Sequence, residues 1–285
     1  MIIDGKQIAS EVCEEIKHKV STFQGRKPHL AFILAGNNPA SQTYVRSKKK
    51  ACAITGIEST LIEFDASVTE KEVLSCIEDL NQDPCIDGIL VQLPLPSQIN
   101  EQTVMLAIDP KKDVDGFHPL NVGKMLLGNK DCFLPCTPHG ILELLARSQI
   151  SVEGKHVVIV GRSNIVGKPL AAILVQKKKH CNATVTIAHS QSEDLAKITK
   201  SADILVAAIG KPHFIKKEMV RSGAVVIDVG INRLEDRRIV GDVDFEEVSK
   251  IASHITPVPG GVGPMTIAML LQNTVLSYMR RECLC

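Results

Sequence analysis

Four polar side chains in the first half of the sequence have types and spacing that suit chemistry. Tyr44 and Lys48 are four residues apart in a stretch of helical periodicity, so they share one helix face. Gln92 ends a short apolar strand, where open α/β sheets bind their ligands. Asp115 follows in a polar loop. Lysine and tyrosine can transfer protons, while the amide and the carboxylate can orient a polar ligand.

Simpler interpretations of these residues remain open at this point. Lys48 begins a run of three lysines and is accounted for equally well as a solvated surface residue. Tyr44 would then be a half-buried packing residue, and the acidic loop 113–116 a simple Asx turn. Against this, Leu93–Pro96 cannot continue a sheet, so the chain must leave there and can form the wall of a pocket.

A second group of residues indicates a nucleotide site. Buried strand residues lead directly into Gly161, and Arg162 and Ser163 precede a predicted helix. A glycine turn followed by a helix N-terminus presents N–H groups to phosphate, although Ser163 replaces the second glycine of the usual fingerprint. The next strand ends in His189 and Ser190 instead of the carboxylate that holds an NAD ribose, which favours NADP. An ordinary βα turn is the alternative.

Apolar periodicity alternates between helix and strand along most of the chain, which is typical of a parallel sheet covered by helices. The predicted helices are 5–20, 39–55, 70–81, 100–107, 137–147, 167–178, 192–200 and 265–278. The predicted strands are 30–35, 60–64, 87–92, 155–160, 183–188, 203–208 and 224–229. Asn38 and Gly56 are expected to cap the second helix, and Thr69 with Glu72 forms a predicted capping box.

Composition excludes several classes of protein. The 285 residues carry 33 basic and 32 acidic side chains, a balance that argues against a nucleic-acid binder. The nine cysteines are scattered, and Cys132 and Cys136 lack a second pair at metal-ligand spacing, so we expect no metal site and reduced thiols. The first residues resemble neither a signal nor a transit peptide, and no window suits a membrane span. We therefore expect a soluble, cytoplasmic protein without membrane contacts.

The sequence resembles the bifunctional methylenetetrahydrofolate dehydrogenase/methenyltetrahydrofolate cyclohydrolase family over essentially its whole length. Six ordered segments carry the resemblance. They are 44–51 (YVRSKKKA), 91–96 (VQLPLP), 113–116 (DVDG), 135–140 (PCTPHG), 161–163 (GRS) and 256–266 (TPVPGGVGPMT). The resemblance implies NADP-dependent oxidation of 5,10-methylenetetrahydrofolate and hydrolysis of the methenyl product to 10-formyltetrahydrofolate. It also implies that Ser163 is normal at its position.

The resemblance also implies roles for individual residues. Lys48 is expected at the centre of the cyclohydrolase step, oriented by Tyr44 and Gln92, while Asp115 is expected to hold the pterin ring. The residues implied to contact folate are Tyr44, Lys48, Val91, Gln92, Leu93, Asp115, Pro259, Gly260 and Gly261. Those implied to contact NADP are Gly161, Arg162, Ser163, Ser190 and Ile231.

The expected architecture is two α/β domains, the second a Rossmann-like doubly wound parallel sheet, with an active-site cleft between them. We expect residues 1–138 with helix 266–285 to form the folate-binding catalytic domain and residues 139–265 to bind NADP. The family further implies tetrahydrofolate partners, polyglutamylated or not, a homodimer, and a place in purine and amino-acid biosynthesis. Three alternatives remain. They are a monofunctional or NAD-preferring dehydrogenase on the same fold, a different Rossmann oxidoreductase, and a non-catalytic NADP-binding regulator.

Overall fold

The computed structural model describes residues 1–284, which form two compact units. The helices are α1 (Gly5–Ser21), α2 (Pro39–Thr55), α3 (Glu70–Gln82), α4 (Glu101–Ala107), α5 (Pro119–Leu126), α6 (Cys136–Arg147), α7 (Gly167–Leu174), α8 (Leu195–Lys200), α9 (Phe245–Val248) and α10 (Val262–Arg281), with a short 3₁₀ turn at Lys217–Met219. The strands are β1 (His29–Ala35), β2 (Glu58–Phe64), β3 (Gly88–Val91), β4 (His156–Val160), β5 (Thr184–Ala188), β6 (Ile204–Ala207), β7 (Val225–Asp228), β8 (Asn232–Arg233), β9 (Ile239–Val240) and β10 (His254–Ile255).

One unit, here called the three-stranded unit, comprises residues 10–124, 130–136 and 267–284. Its sheet is parallel, in the order β2-β1-β3, and the central strand is completely apolar from Leu30 to Ala35. Both neighbours of β1 are reached by helical crossovers, α2 and α3, as parallel pairing requires. Apolar side chains of α3 and α4 cover the sheet, among them Val73, Ile77 and Val104.

The other unit, here called the five-stranded unit, comprises residues 1–9, 125–129 and 137–266. Its sheet has the order β10-β7-β6-β4-β5 with every pair parallel. The order in which strands are added to the sheet reverses between β4 and β6, because β5 lies on one side of β4 and β6 lies on the other. This doubly wound topology confirms the Rossmann-like prediction and puts the ligand edge at the carboxyl ends of β4 and β6.

Local signals in the sequence correctly located most helix ends. Asn38 caps α2 by accepting hydrogen bonds from Ala40 N and Ser41 N, and Gly56 ends the helix with φ +76°. Thr69 and Glu72 form the predicted capping box of α3. Each of these caps satisfies backbone groups that a helix end leaves without intrahelical partners.

Several elements differ from the prediction, and the short elements β8, β9 and α9 were not predicted at all. Helix α7 ends at Leu174 instead of residue 178, and α8 begins at Leu195 because Asp194 caps it. Helix α5 was missed because its cap is unusual: the N–H of Leu120 donates to the imidazole Nδ1 of His118 (3.1 Å). The two-residue strand β10 has no periodicity that a sequence could reveal.

The predicted domain boundaries at residues 138 and 266 stay a prediction. The two compact units have somewhat different boundaries. Residues 1–9 group with the five-stranded unit, where Ile3 N donates to Ile255 O at 2.9 Å. Residues 267–284 group with the three-stranded unit, and there Tyr278 donates its hydroxyl to Arg26 O at 3.0 Å.

Candidate active site

Lys48 and Gln92 meet at the carboxyl edge of the three-stranded sheet. Helix α2 leaves β1 and carries Lys48, while Gln92 follows β3, the neighbour of β1. Lys48 Nζ donates to Gln92 Oε1 at 3.0 Å. Gln92 Nε2 in turn donates to Leu93 O at 2.8 Å, which fixes the amide so that its oxygen faces the lysine. The sheet therefore holds a lysine ammonium group against an oriented amide.

The two faces of α2 divide between the core and this edge. Val45 and Cys52 are buried, and Lys48 is half-buried. Tyr44 lies one turn before Lys48 with its side chain 40% exposed, so its ring is accessible beside the lysine. The interpretation of Lys48 as a freely solvated surface lysine is therefore wrong.

Asp115 belongs to the same unit and is electrostatically coupled to Lys48. Burial raises the pKa of Asp115 above its ordinary value, while the positive charge of Lys48 and a hydrogen bond with Cys136 act in the opposite direction. A half-buried carboxylate near a lysine can accept two parallel hydrogen bonds from an amino-pyrimidine edge.

The loop that carries Asp115 is built around Asp113. Its Oδ1 accepts from Gly116 N and Phe117 N at 3.2 Å each, and its Oδ2 accepts from His118 N and from Asn121 Nδ2 at 2.8 Å each. Burial raises the pKa of Asp113 to about 6, although these donors favour the charged form. Asp113 and Asp115 thus have separate tasks: Asp113 shapes the loop, and Asp115 lies within electrostatic range of Lys48.

Asn273 on α10 supports this loop from behind and was missed by the sequence reasoning. Its buried Nδ2 donates to Val114 O at 2.8 Å and to Leu134 O at 3.0 Å. A Cβ at Gly116 would come within 2.7 Å of the Leu134 and Pro135 backbone, so only glycine fits there. Nothing in the sequence spacing links Asn273 to Val114, 159 residues away.

Lys112 anchors the same loop on its other side. Its side chain is buried, and Nζ donates to the carbonyls of Leu80, Asn81 and Asp83 at 2.7–2.8 Å, at the end of α3. Desolvation lowers the pKa of Lys112, and the three carbonyl acceptors satisfy its ammonium group. In the sequence, only its position directly before Asp113 distinguishes Lys112 from a surface lysine.

In the five-stranded unit, the turn after β4 fits a dinucleotide phosphate. Gly161 has φ +132°, and a Cβ there would overlap the carbonyl oxygen of Ala208 after β6. A Cβ on Gly167 would overlap Gly161 O, so the helix start also packs directly on the turn. The backbone is therefore bare at the switch point, where a pyrophosphate needs a close approach.

Ser163 does not obstruct this turn. Its hydroxyl accepts from Val166 N (3.1 Å) and Gly167 N (3.4 Å) and so caps the start of α7. Arg162 and Ser190 are exposed near the ends of β4 and β5, and Ile231, after β7, is 48% exposed. All of these residues follow the carboxyl ends of parallel strands in the same sheet.

Pro259, Gly260 and Gly261 form a tight loop before α10, also in the five-stranded unit. Gly260 has φ +106°, and its carbonyl accepts from Lys6 N at 2.9 Å. A Cβ on Gly261 would lie 2.6 Å from Pro257 O, so this loop is closely packed. Val91 and Leu93, by contrast, flank Gln92 in the three-stranded unit.

Between residues 1 and 284, no cluster of three or more His, Cys, Asp or Glu side chains has metal-binding geometry. Over the same residues, no helix combines the length and the hydropathy needed to cross a bilayer.

Fold and site together define an α/β protein with a dinucleotide edge on one sheet and a lysine–amide edge on the other. Residues 3–115 match the model of the tetrahydrofolate dehydrogenase/cyclohydrolase catalytic domain, and residues 135–282 match that family's NAD(P)-binding domain. The chain therefore belongs to the tetrahydrofolate dehydrogenase/cyclohydrolase family.

Individual relatives agree over the full length. The bifunctional protein FolD of Prosthecochloris aestuarii is 57% identical, with 98% of each chain covered. A crystal structure of the bifunctional FolD enzyme from Campylobacter jejuni has 50% identity and a TM-score of 0.95 over 99% of both chains. The FolD of Trypanosoma brucei, solved with NADP and an inhibitor, has 38% identity and a TM-score of 0.92, covering 98% of this chain and 97% of that one.

Proposed function

We propose that this protein oxidises 5,10-methylenetetrahydrofolate with NADP and hydrolyses the methenyl product to 10-formyltetrahydrofolate, with Lys48 as the central group of the hydrolysis. The main observation in support is the 3.0 Å hydrogen bond between Lys48 Nζ and Gln92 Oε1 at the ligand edge of the three-stranded sheet. A monofunctional dehydrogenase would have no use for a lysine held in this way.

Hydrolysis needs control of protons because water loses them as it attacks the methenyl carbon. Gln92 takes one hydrogen bond of the Lys48 ammonium group and leaves its other two N–H donors for substrate and water. The amide is locked by its own bond to Leu93 O, so the lysine is positioned before substrate arrives. In its neutral amine form Lys48 Nζ takes the proton that water loses as it attacks, and the ammonium so formed returns that proton to the folate nitrogen that leaves the carbon. The exposed hydroxyl of Tyr44 orients the reacting group.

Asp115 holds the pterin ring in this proposal. Its carboxylate is desolvated, which strengthens hydrogen bonds to an amino-pyrimidine edge. Asp113, Lys112 and Asn273 hold the loop in place. Val91, Leu93 and the loop of Pro259, Gly260 and Gly261 complete the predicted folate contacts.

Oxidation needs less help from side chains. NADP, when bound, supplies a hydride acceptor, and the folate nitrogen beside the reacting carbon stabilises the cation that remains. Gly161 and Ser163 present the bare turn to the phosphates, while Arg162 and Ser190 offer a cation and a hydroxyl to the 2′-phosphate. Ile231 supplies an exposed apolar contact for the same cofactor. The protein thus contributes mainly positioning.

We further infer a cytoplasmic homodimer that supplies one-carbon units for purine and amino-acid biosynthesis and accepts polyglutamylated folates. Strand β5 is an edge of the five-stranded sheet, with Ile187 36% exposed, and such edges pair readily with a second chain. The scattered cysteines suit a reducing compartment.

The decisive experiment follows NADPH formation from 5,10-methylenetetrahydrofolate in parallel with the decay of separately supplied methenyl-folate. The wild type is expected to show both signals and to prefer NADP to NAD. Lys48→Met should slow methenyl decay by at least ~100-fold, the usual contribution of a general acid–base. NADP affinity should be unchanged.

Lys50→Met is the matched control, because Lys50 is an exposed lysine two residues away on another face of α2. It should retain both activities. If Lys48→Met hydrolyses methenyl-folate at the wild-type rate, Lys48 loses its role. If the wild type reduces NADP but leaves methenyl-folate intact, the monofunctional alternative holds.

A further inference from the structure

Asp242, two residues after the end of β9, has a buried carboxylate that accepts hydrogen bonds from the chain segments that follow β6 and β7, here called the two loops. Its Oδ2 accepts from Ile209 N at 2.6 Å and Gly210 N at 2.9 Å, and its Oδ1 accepts from Lys211 N at 2.9 Å. These three N–H groups belong to the loop after β6. Oδ1 also accepts from Asn232 Nδ2 at 2.8 Å, at the start of the short strand β8 that follows β7. One carboxylate therefore fixes the exits of two neighbouring strands.

Asp228, the last residue of β7, extends this network. Its Oδ1 accepts from Gly230 N and Asp242 N, and its Oδ2 from Val243 N, all at 2.9 Å. Asp228 thereby holds the backbone of Asp242 while Asp242 holds the two loops. We call Asp228 and Asp242 together the aspartate bridge.

Two glycines show how closely the bridge is packed. A Cβ on Gly230 would overlap the carboxylate of Asp242, and a Cβ on Gly241 would overlap that of Asp228. The carboxylates thus lie directly against the backbone, and their hydrogen bonds have little freedom to change length. Both side chains are buried, so these hydrogen bonds are shielded from competing water.

The bridged loops lie at the ligand edge of the five-stranded sheet. The loop after β6 begins at Ala208, whose carbonyl is in contact with Gly161 of the phosphate turn. Ile231 lies between Gly230 and Asn232, which the aspartate bridge holds on either side. The exposed Ile231 side chain and the Gly161 turn thus share one support.

We propose that Asp242 is a positioning residue for NADP: by holding residues 209–211 and Asn232, it fixes the wall of the cofactor site without touching the cofactor. This inference rests on the proposed NADP-dependent function. It predicts that loss of Asp242 weakens cofactor binding and spares chemistry that needs no cofactor.

The bifunctional enzyme offers an internal test, because hydrolysis of methenyl-folate can be assayed without NADP. In Asp242→Asn, one acceptor oxygen becomes an NH₂ group that opposes the loop N–H donors. The dissociation constant for NADP, measured by titration calorimetry on the full chain, should rise by at least about tenfold, the equivalent of one charge-assisted hydrogen bond. Methenyl hydrolysis without NADP should stay within about twofold.

Asp236→Asn is the matched control on the same hairpin, since Asp236 is exposed and bonds only Arg238, through Arg238 N and Nε. It should leave both measurements unchanged. If Asp242→Asn fails to fold, Asn232→Ala replaces it as the test. Asn232→Ala removes a single contact with Asp242 and should weaken NADP binding about threefold.

Unchanged NADP affinity in folded Asp242→Asn, or in Asn232→Ala when Asp242→Asn does not fold, would overturn the proposal. A parallel loss of hydrolysis would also overturn it, because that pattern means general destabilisation. A wild type that binds no NADP would instead contradict the proposed function itself.

Discussion

The first three strands of each sheet have the same topology, but one ligand edge is formed by backbone groups and the other by side chains. In each, the second strand in sequence lies on one side of the first and the third strand on the other: β2-β1-β3 and β5-β4-β6. At β4 and β6 the edge is bare backbone, with Gly161 against Ala208. At β1 and β3 the edge consists of side chains, with Lys48 reaching Gln92.

This difference teaches how one topology serves two kinds of ligand. A phosphate is recognised by N–H groups and needs room, so the backbone must approach and side chains must be absent. A reacting carbon needs proton donors and acceptors, so side chains must be present and held rigidly. The backbone edge should therefore be damaged by added side-chain atoms. The side-chain edge should be damaged by loss of the residues that hold its side chains and loops in place.

The largest effect is expected from adding one methyl group to the backbone edge. Gly161→Ala forces a Cβ into Ala208 O at φ +132° and should lower the free energy of unfolding by about 4 kcal/mol, through strain and overpacking together. Chemical denaturation measures this change. Gly154→Ala, also at positive φ but with nothing within 4 Å, should cost about 1 kcal/mol. Equal losses in the two variants would contradict the backbone-contact explanation.

The second prediction compares the pKa of one buried carboxyl in each unit, Asp113 in the three-stranded unit and Asp228 in the five-stranded unit. Burial raises the pKa of Asp113 and of Asp228 to about 6, from an ordinary value of 3.8. The folded protein therefore binds each proton more tightly than the unfolded chain. Each carboxyl contributes most stability below about pH 4, and this contribution falls as pH rises to about 6, by up to about 3 kcal/mol.

The measurement compares unfolding free energies of the wild type and Asp113→Asn between pH 4 and 7.5. The advantage of the wild type should shrink as pH rises, because only the wild type loses a stabilising proton. Asp228→Asn should give a change of the same sign. A gap that is constant with pH would show that the carboxyl titrates alike in both states.

The third prediction removes a support from the side-chain edge. Asn273→Ala leaves Val114 O and Leu134 O without their amide donor and should cost about 2–3 kcal/mol of unfolding free energy. The KM for folate should rise, since the loop of Asp115 loosens. Gln272→Ala, the half-buried neighbour on α10, is the control and should change stability by about 0.5 kcal/mol or less. An unchanged folate KM would show that the loop keeps its shape without Asn273.

The smallest effect is expected from Asp115→Asn, which keeps the size of the side chain but replaces one acceptor oxygen with a donor. Loss of one charge-assisted hydrogen bond should raise the KM for 5,10-methylenetetrahydrofolate by about 10- to 30-fold. NADP binding by calorimetry should not change. A variant with the wild-type KM would remove Asp115 from the pterin contact.

Sequence reasoning recovered what is encoded locally. Asn38 and Gly56 cap the two ends of α2 through hydrogen bonds to residues at most four positions away. The residue types Asn and Gly alone predict those caps. The strand-to-glycine step at Gly161 is local in the same sense. Lys48 and Gln92, 44 residues apart, could be joined only by assuming that β1 and β3 are neighbours.

The residues that hold the site loops in place, Asn273 and Asp242, could not be predicted from the sequence. Their partners are far away in the chain, and Asn and Asp are common residue types. Asn273 meets Val114 across 159 residues, and Asp242 meets Ile209 across 33. A buried asparagine or aspartate has no periodicity of its own. The cap of α5 by His118 was missed for a related reason, since imidazole is a rare cap.

The discontinuous make-up of the three-stranded unit has a consequence for synthesis of the protein. Residues 10–124 and 130–136 leave the ribosome well before residues 267–284, with the 130 residues of 137–266 between them. At about 5–20 residues per second, the delay is on the order of ten seconds. The carbonyls of Val114 and Leu134 must wait that long for Asn273. The Asp115 loop can therefore take its final form only after Asn273 has left the ribosome, and a nascent chain lacking α10 should not retain folate.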